Sequence, residues 1–351
     1  MAFDPQREDY TRLGVRFAST LDFSNAAEAT RAFAAFGRRF AQDRDSLPQS
    51  DGDRAFHLVV LASRNIDLEL PFADEARAKE LIEESHRILD EAIQLDPHCY
   101  DALRMKTAAT SNSFDAFLTF LDQNAQEVRS YCEEQRAAAK QEESDERRRL
   151  LADLAMRPYL RWVATQAEEA LICGRNREAI RLCNVAMELD PRDTADVRFT
   201  ASLAYAKLED EAGLMRHLSE SSKSAMRPCD DAWSQLAILA IAFKQRNEER
   251  ALDCIHNLIP RYPHAAEALI RQNELPDGVF ARLAVTPYSE DELIIALSEA
   301  TVLLQEGVDF QGRGILSSWV IEKTAQISPQ AMIAVMAQQM PDEPKNDGGR
   351  Q

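Results

Sequence analysis

Glu83 and His86 stand three residues apart. On a helix that spacing puts a carboxylate and an imidazole on one face, as in half of a di-iron centre. The other half would need a second Glu-x-x-His pair and two further glutamates from other helices. Asp253 and His256 repeat the spacing, and Cys254 precedes His256 by two, but no further ligands follow at zinc intervals. Gly312 and Gly314 form a GxG with no third glycine and no preceding strand, which excludes a dinucleotide-binding fingerprint. The chain has no GxxxxGK[ST], no HExxH and no GxSxG. Its six cysteines, at 99, 132, 173, 183, 229 and 254, include no CxxC pair and all fall in stretches that read as helix. They read as small buried hydrophobes of a reducing compartment. No pair of carboxylates stands out as an acid and a base. These residues predict no catalytic site, no metal and no cofactor.

Elements that could position any site are helical on composition. Helix formers dominate the 351 residues, and glycine is scarce at 11. The length allows two domains or one elongated solenoid. With 41 basic against 59 acidic residues the net charge is −18. A surface of that sign repels nucleic-acid phosphates and anionic membranes, so neither is an expected partner. No window approaches the ~20 apolar residues of a membrane span. The start, MAFDPQREDY, lacks the basic and apolar stretches of a signal peptide. A cytoplasmic protein is the expectation.

Residues 1–23 read as irregular, with Val15 and Phe17 in a short alternating stretch and a possible N-cap at Ser24. Helices are predicted within 24–125. One carries Phe33, Phe36 and Phe40 on one face, and a long one ends at Pro97. Segment 126–153 holds Glu133–Arg149, where nothing is larger and more apolar than alanine. It is expected to be a long exposed charged helix, supported by Glu143–Arg147 and Asp145–Arg149 pairs, or a partly disordered insertion. A helix from about Pro158 to Cys173 opens the region 154–275. Residues 276–340 supply a C-terminal helical cap with helices at Glu290–Gln305, Gly314–Gln326 and Pro329–Gln339. Residues 341–351 read as a disordered tail.

Two phrases recur, AIQLDP ending at Pro97 and AMELDP ending at Pro191. Each reads as a helix end followed by a proline that forbids continuation. Around the second, Ala167, Gly174, Ala179, Ala186 and Pro191 fall at the offsets of a helix hairpin, and Ala251, Leu258 and Pro263 repeat the outer spacing. In these positions the chain resembles the tetratricopeptide (TPR) repeat. The match is best over about 160–193 and partial around 230–263 and before Pro97. The resemblance implies an all-α fold, a TPR-like right-handed superhelix of antiparallel helix hairpins (an α-solenoid), acting as a scaffold for a protein or peptide in a concave groove. The Lys/Asn clamp of some members is absent, since Lys106, Lys207 and Lys244 are followed four residues later by Thr110, Glu211 and Glu248. In the implied register Arg161, Glu168, Arg198 and Tyr205 face the groove, the arginines and tyrosine suited to a peptide carboxylate or acidic side chain. Trp233 aligns with Ala237 and Ala240 as a core residue; Trp162 and Trp319 stay ambiguous. A sensor of peptides or small ligands that acts through a separate partner, and a helical enzyme without motifs, are the competing expectations. The apolar C-terminal helices, with Ile315, Leu316, Trp319, Val320, Ile321, Ile333 and Val335, either cap the array or join two copies as a homodimer.

Overall fold

Asp4 caps the first helix by accepting the Arg7 N–H at 2.9 Å, and Pro5 has no N–H to leave unsatisfied there. The result is α1, Pro5–Ala18, where an irregular segment was expected; Val15 and Phe17 lie on this helix, not on a strand. A computed structural model describes residues 4–20, 26–224, 230–273, 285–307 and 312–339. Among these the fold is all-α, with no strand. Ser24, the break at 274–284 and the tail 341–351 lie outside the described residues.

The chain divides into two units, one running to Ala204 and the other formed by Tyr205–Leu275 and Val285–Gln351. The first unit continues with α2 (Ala26–Gln42), α3 (Asp51–Ser63), α4 (Glu75–Leu95), α5 (Tyr100–Thr110), α6 (Phe114–Ala139), α7 (Asp145–Ile172), α8 (Asn176–Leu189) and the start of α9 (Val197–Lys207). Phe36 of α2 packs with Leu13, Phe17, Phe40 and Leu47. A second core joins α3, α4 and α5 through Ala55, Val59, Leu81, Leu89, Ala92, Ala102 and Met105. Between α3 and α4 the chain winds as a π-helical turn, Arg64–Glu69, then as a 3-10 turn at Leu70–Phe72, where Pro71 stops the helix.

The charged segment Glu133–Arg149 is neither one continuous helix nor an insertion. It is the tip of the antiparallel α6–α7 hairpin, broken between Ala139 and Asp145. Ser144 caps α7, and the Arg148 guanidinium donates to the Glu142 carbonyl at 2.7 and 3.0 Å. Arg147 pairs with Glu142 at 2.9 Å, and Arg148 with Asp145 at 2.7 Å, in place of the expected i,i+4 pairs. α7 therefore starts well before Pro158, which sits inside it. Burial against α6 and α8 outweighs the hydrogen bond that the proline cannot donate. Trp162, fully buried, donates its indole N–H to the Leu121 carbonyl at 3.0 Å and fixes the hairpin register.

α7 closes with a left-handed Gly174 (φ 75°). Arg175 N–H reaches the Ala170 carbonyl at 2.7 Å, and Gly174 N–H the Leu171 carbonyl at 3.0 Å. This is a Schellman cap. The same two-bond cap follows α9, with Glu209 in the left-handed position. It also follows α11 (Ala232–Lys244), there with Arg246. α8, α10 (Glu211–Ser224) and α12 (Glu248–Leu258) start directly after these caps. Ala167, Ala179, Ala186, Ala251 and Leu258 are all buried, as their spacing predicts.

The second unit contains the end of α9, α10 to α12, α13 (Ala265–Arg271), α14 (Glu290–Glu299), α15 (Thr301–Leu304), α16 (Ile315–Ile327) and α17 (Pro329–Gln339). α11 is apolar nearly all round and is buried against α12 and α14. Trp233 is a core residue, as expected, with its N–H donated to Glu299 at 2.7 Å. The single helix expected over Glu290–Gln305 breaks at Ala300 into α14 and α15. α16 and α17 pack on α13 through Ala266, Ile270, Ile321, Ala331 and Val335, while Ile315 and Ile333 stay exposed. Trp319 lies against Phe243, with ring centroids 5.4 Å apart.

Candidate functional site

Arg161 comes from the middle of α7 and is buried, so it is not an anchor on an open surface. Its Nε and Nη2 donate to both oxygens of Asp101 on α5, at 2.7 and 2.5 Å. Its Nη1 donates to Glu8 of α1 at 2.9 Å. Glu8 also receives Arg12 at 2.7 Å and Arg157 at 3.2 Å, while Arg104 reaches Asp101 at 3.4 Å and Thr165 at 3.1 Å. Burial alone would raise the Glu8 pKa, but Arg161, Arg12 and Arg157 outweigh it and hold it down to about 2. The Asp101 carboxyl lies well below its ordinary range for the same reason: burial works upward, and Arg161 and Arg104 win. For Arg161, burial opposes the charge and the two carboxylates restore it, so its pKa rises. The next residue of α1, Asp9, accepts from Arg44 at 2.6 and 2.7 Å and lies 2.8 Å from His57. Adjacent carboxylates on one short helix thus fasten it to α7 on one side and to α3 and its approach on the other.

Arg198 is also committed locally. It pairs with Asp193 at 3.1 Å and Asp196 at 2.7 Å, in the loop that leads into its own helix, and lies 4.1 Å above the Phe199 ring. Asp193 and Asp196 have positive φ, so this loop turns instead of extending α9 back to Asp193. Tyr205 belongs to the second unit, where its ring sits 5.7 Å from His217 and closes over Gly213. Of the four expected groove residues, Glu168 lines a cavity.

This cavity, of about 430 Å³, lies within the first unit. Ile66 and Leu70 from the π-helical turn and its continuation line it, with Phe117 and the half-exposed Ile82 and Phe114. A π-turn closes its hydrogen bonds over one residue more than an α-helix, which displaces the side chains that follow, and such turns are frequent at functional sites. The polar part of the lining is Ser85 and His86 of α4 and Thr165, Glu168 and Glu169 of α7. The end of α5 (Ala108, Ala109) and the α5–α6 connection (Ser111, Asn112, Ser113) complete the lining. Ser85 is fully buried, yet its Oγ meets no hydrogen-bonding partner, and neither does the buried Nε2 of His86. Buried polar atoms are normally satisfied, so two in one cavity wall mark a place where a ligand can supply the bonds. Thr165 is committed otherwise: it donates to the Arg161 carbonyl at 3.0 Å and accepts from Arg104.

The Glu83–His86 motif is split by the fold. His86 reaches the cavity, whereas Glu83 stays exposed beside Lys79. Asp253 and His256 are exposed on α12. Among the described residues no group of three or more His, Cys, Asp or Glu side chains is arranged for a metal ion. Cys99, Cys132, Cys183 and Cys254 are buried and Cys173 is half-buried, all as free thiols; Cys229 lies outside the described residues. Burial pushes Cys99 up to about 12 and Cys132 and Cys254 up to about 11, which keeps these thiols protonated and unreactive.

Comparisons with protein-family models, curated proteins and solved structures return no match to this chain. The cavity residues have to be read from their own arrangement. One signal of them was present in the sequence: Ser85 interrupts the buried stripe of Leu81, Leu89 and Ala92 on α4 with a hydroxyl. The π-turn and the meeting of α4 with α7 have no comparable signature.

Proposed function

We propose that this chain is a non-enzymatic helical-repeat scaffold that binds a protein or peptide partner in the cytoplasm. Its hairpins α7–α8, α9–α10 and α11–α12 form TPR-like units of a right-handed α-solenoid. The support for the repeat reading is local. The same Schellman cap recurs about every 35 residues, close to the TPR period, with small buried residues at the helix crossings. The recognition site moves, however, from the arginine face to the cavity of the first unit. The observation that carries this is a largely apolar cavity whose lining includes two buried polar atoms without partners, Ser85 Oγ and His86 Nε2. A side chain of the partner enters there.

The second reading, a small-ligand sensor acting through a separate protein, is favoured by the cavity volume, which falls in the range of small-molecule sites. Affinity purification from the native cell, read by mass spectrometry, separates the two. The tagged wild type is compared with Ala109→Trp, which fills the cavity from the end of α5, and Arg198→Glu, which alters the originally expected face. The scaffold reading expects a protein partner that Ala109→Trp loses and Arg198→Glu retains. A small molecule retained in native mass spectra, with no protein partner, would favour the sensor. Turnover without a partner would return the enzyme reading.

A further inference from the structure

A hydroxyl inside a helix has a partner within reach, the carbonyl four residues earlier. Thr107, Thr110, Thr119 and Thr165 each donate to it, at 2.8 to 3.0 Å. Ser85, in the middle of α4, does not: its hydroxyl meets neither the Leu81 carbonyl nor any other group. The residue is fully buried, so the unbonded hydroxyl costs folding free energy. His86 Nε2, on the next residue, is buried and unbonded as well, and both residues line the cavity. A hydroxyl donates and accepts, whereas an imidazole nitrogen does one or the other with its tautomer. The charged side chains of the lining, Glu168 and Glu169, are already engaged within the chain, Glu168 electrostatically with Arg104. A cation entering the cavity finds these carboxylates committed, and an anion meets their charge. Burying an ion without a partner of its own costs far more than burying a hydrogen-bonded neutral group. Ile66, Leu70, Ile82, Phe114 and Phe117 supply the apolar part of the lining.

Resting on the binding reading above, we infer that the cavity takes an uncharged ligand: a primary carboxamide carried on an apolar stem. The carboxamide keeps its donor and its acceptor on separate atoms, so one small group can serve the Ser85 hydroxyl and His86 Nε2 together. The stem is buried by Ile66, Ile82 and Phe114, which removes apolar surface from water on both sides. The anionic group that Arg161 and Arg198 suggested is replaced by a neutral one, because those guanidinium groups already hold carboxylates of this chain. A free amide and the glutamine side chain of a peptide carry the same chemistry.

Calorimetric titration of the full chain tests the inference with three probes of one shape: 3-phenylpropanamide, anionic 3-phenylpropionate and cationic 3-phenylpropylammonium. A capped peptide, acetyl-Leu-Gln-Leu-amide, is the fourth. The expected result is that the amide binds about tenfold or more tighter than either ion. Ser85→Ala should weaken amide binding about tenfold, the loss of one hydrogen bond. The same variant should raise the melting temperature of the unliganded chain, because it deletes a buried hydroxyl without deleting a bond. A serine kept for structure alone would give the opposite sign. Ala109→Trp should abolish binding of every probe. A peptide that outcompetes phenylpropanamide identifies the carboxamide as a side chain of a partner; the opposite order identifies a free amide. Equal or tighter binding of either ion, an amide affinity indifferent to Ser85→Ala, or a melting temperature lowered by it overturns the carboxamide. The cavity then stands as a binding site if Ala109→Trp still removes a bound probe or the captured partner. If no probe binds at millimolar concentration and Ala109→Trp leaves the captured partner in place, the binding reading falls as well.

Discussion

Arg161 illustrates how a residue type misleads without its neighbours. A helical arginine beside a tryptophan suits a groove, but Glu8 and Asp101 enclose it instead. Removing one partner of such a buried cluster leaves an uncompensated charge, so Arg161→Met or Glu8→Gln should cost roughly 3–5 kcal/mol in chemical denaturation. A loss within error of zero would mean that the cluster opens to water. The same groups set an acid limit. A carboxylate whose pKa is depressed on folding contributes stability above its unfolded value and loses it as pH falls through its folded value. For Glu8 that window runs from about 4.5 down to about 2, with Asp101 lowered alongside it. Asp193 acts oppositely: burial raises it to about 6, so its ionisation disfavours the fold as pH rises toward that value. The melting temperature should therefore drop steeply below pH 4.5, and Glu8→Gln should flatten that drop. An unchanged slope in the variant would contradict the assignment.

At the scale of elements, much of the fold was legible. The proline of each LDP stands just past the end of α4 and α8, where expected, because a proline without compensating packing disfavours continuing the helix. Alanines at fixed offsets marked the crossings, and Gly174 marked a turn that needs positive φ. Gly174→Ala should cost about 1 kcal/mol, since an L side chain is strained there. Gly314 is a harder constraint: a Cβ would clash with the Leu304 backbone carbonyl, so Gly314→Ala should destabilise by several kcal/mol in thermal melts. A silent Gly314→Ala would show that this approach of α16 to α15 is relaxed in solution. What stayed hidden were elements set by tertiary partners. Helix α1 has few apolar residues, and its stability lies in Glu8, Asp9 and Leu13 meeting distant parts of the chain. Pro158 looked like a helix start, because the cost of a proline inside α7 is outweighed only by packing that no local pattern displays. The cavity needs a π-turn, the end of α5 and the middle of α7 together, and local periodicity encodes none of that meeting.

For the molecule as a whole, the central claim is the location of binding: a cavity in the first unit, and not the arginine-bearing surface that the hairpin register suggested. The cavity combines apolar side chains with the Ser85 hydroxyl and His86 Nε2, and the arginines of the expected face are already engaged by the chain's own carboxylates. The most direct measurement is amide hydrogen exchange of the full chain with and without the captured partner. The account predicts slowed exchange in residues 64–70, 82–89 and 108–117, with residues 193–207 unchanged. Protection confined to 193–207, with the cavity segments exchanging as before, would contradict it.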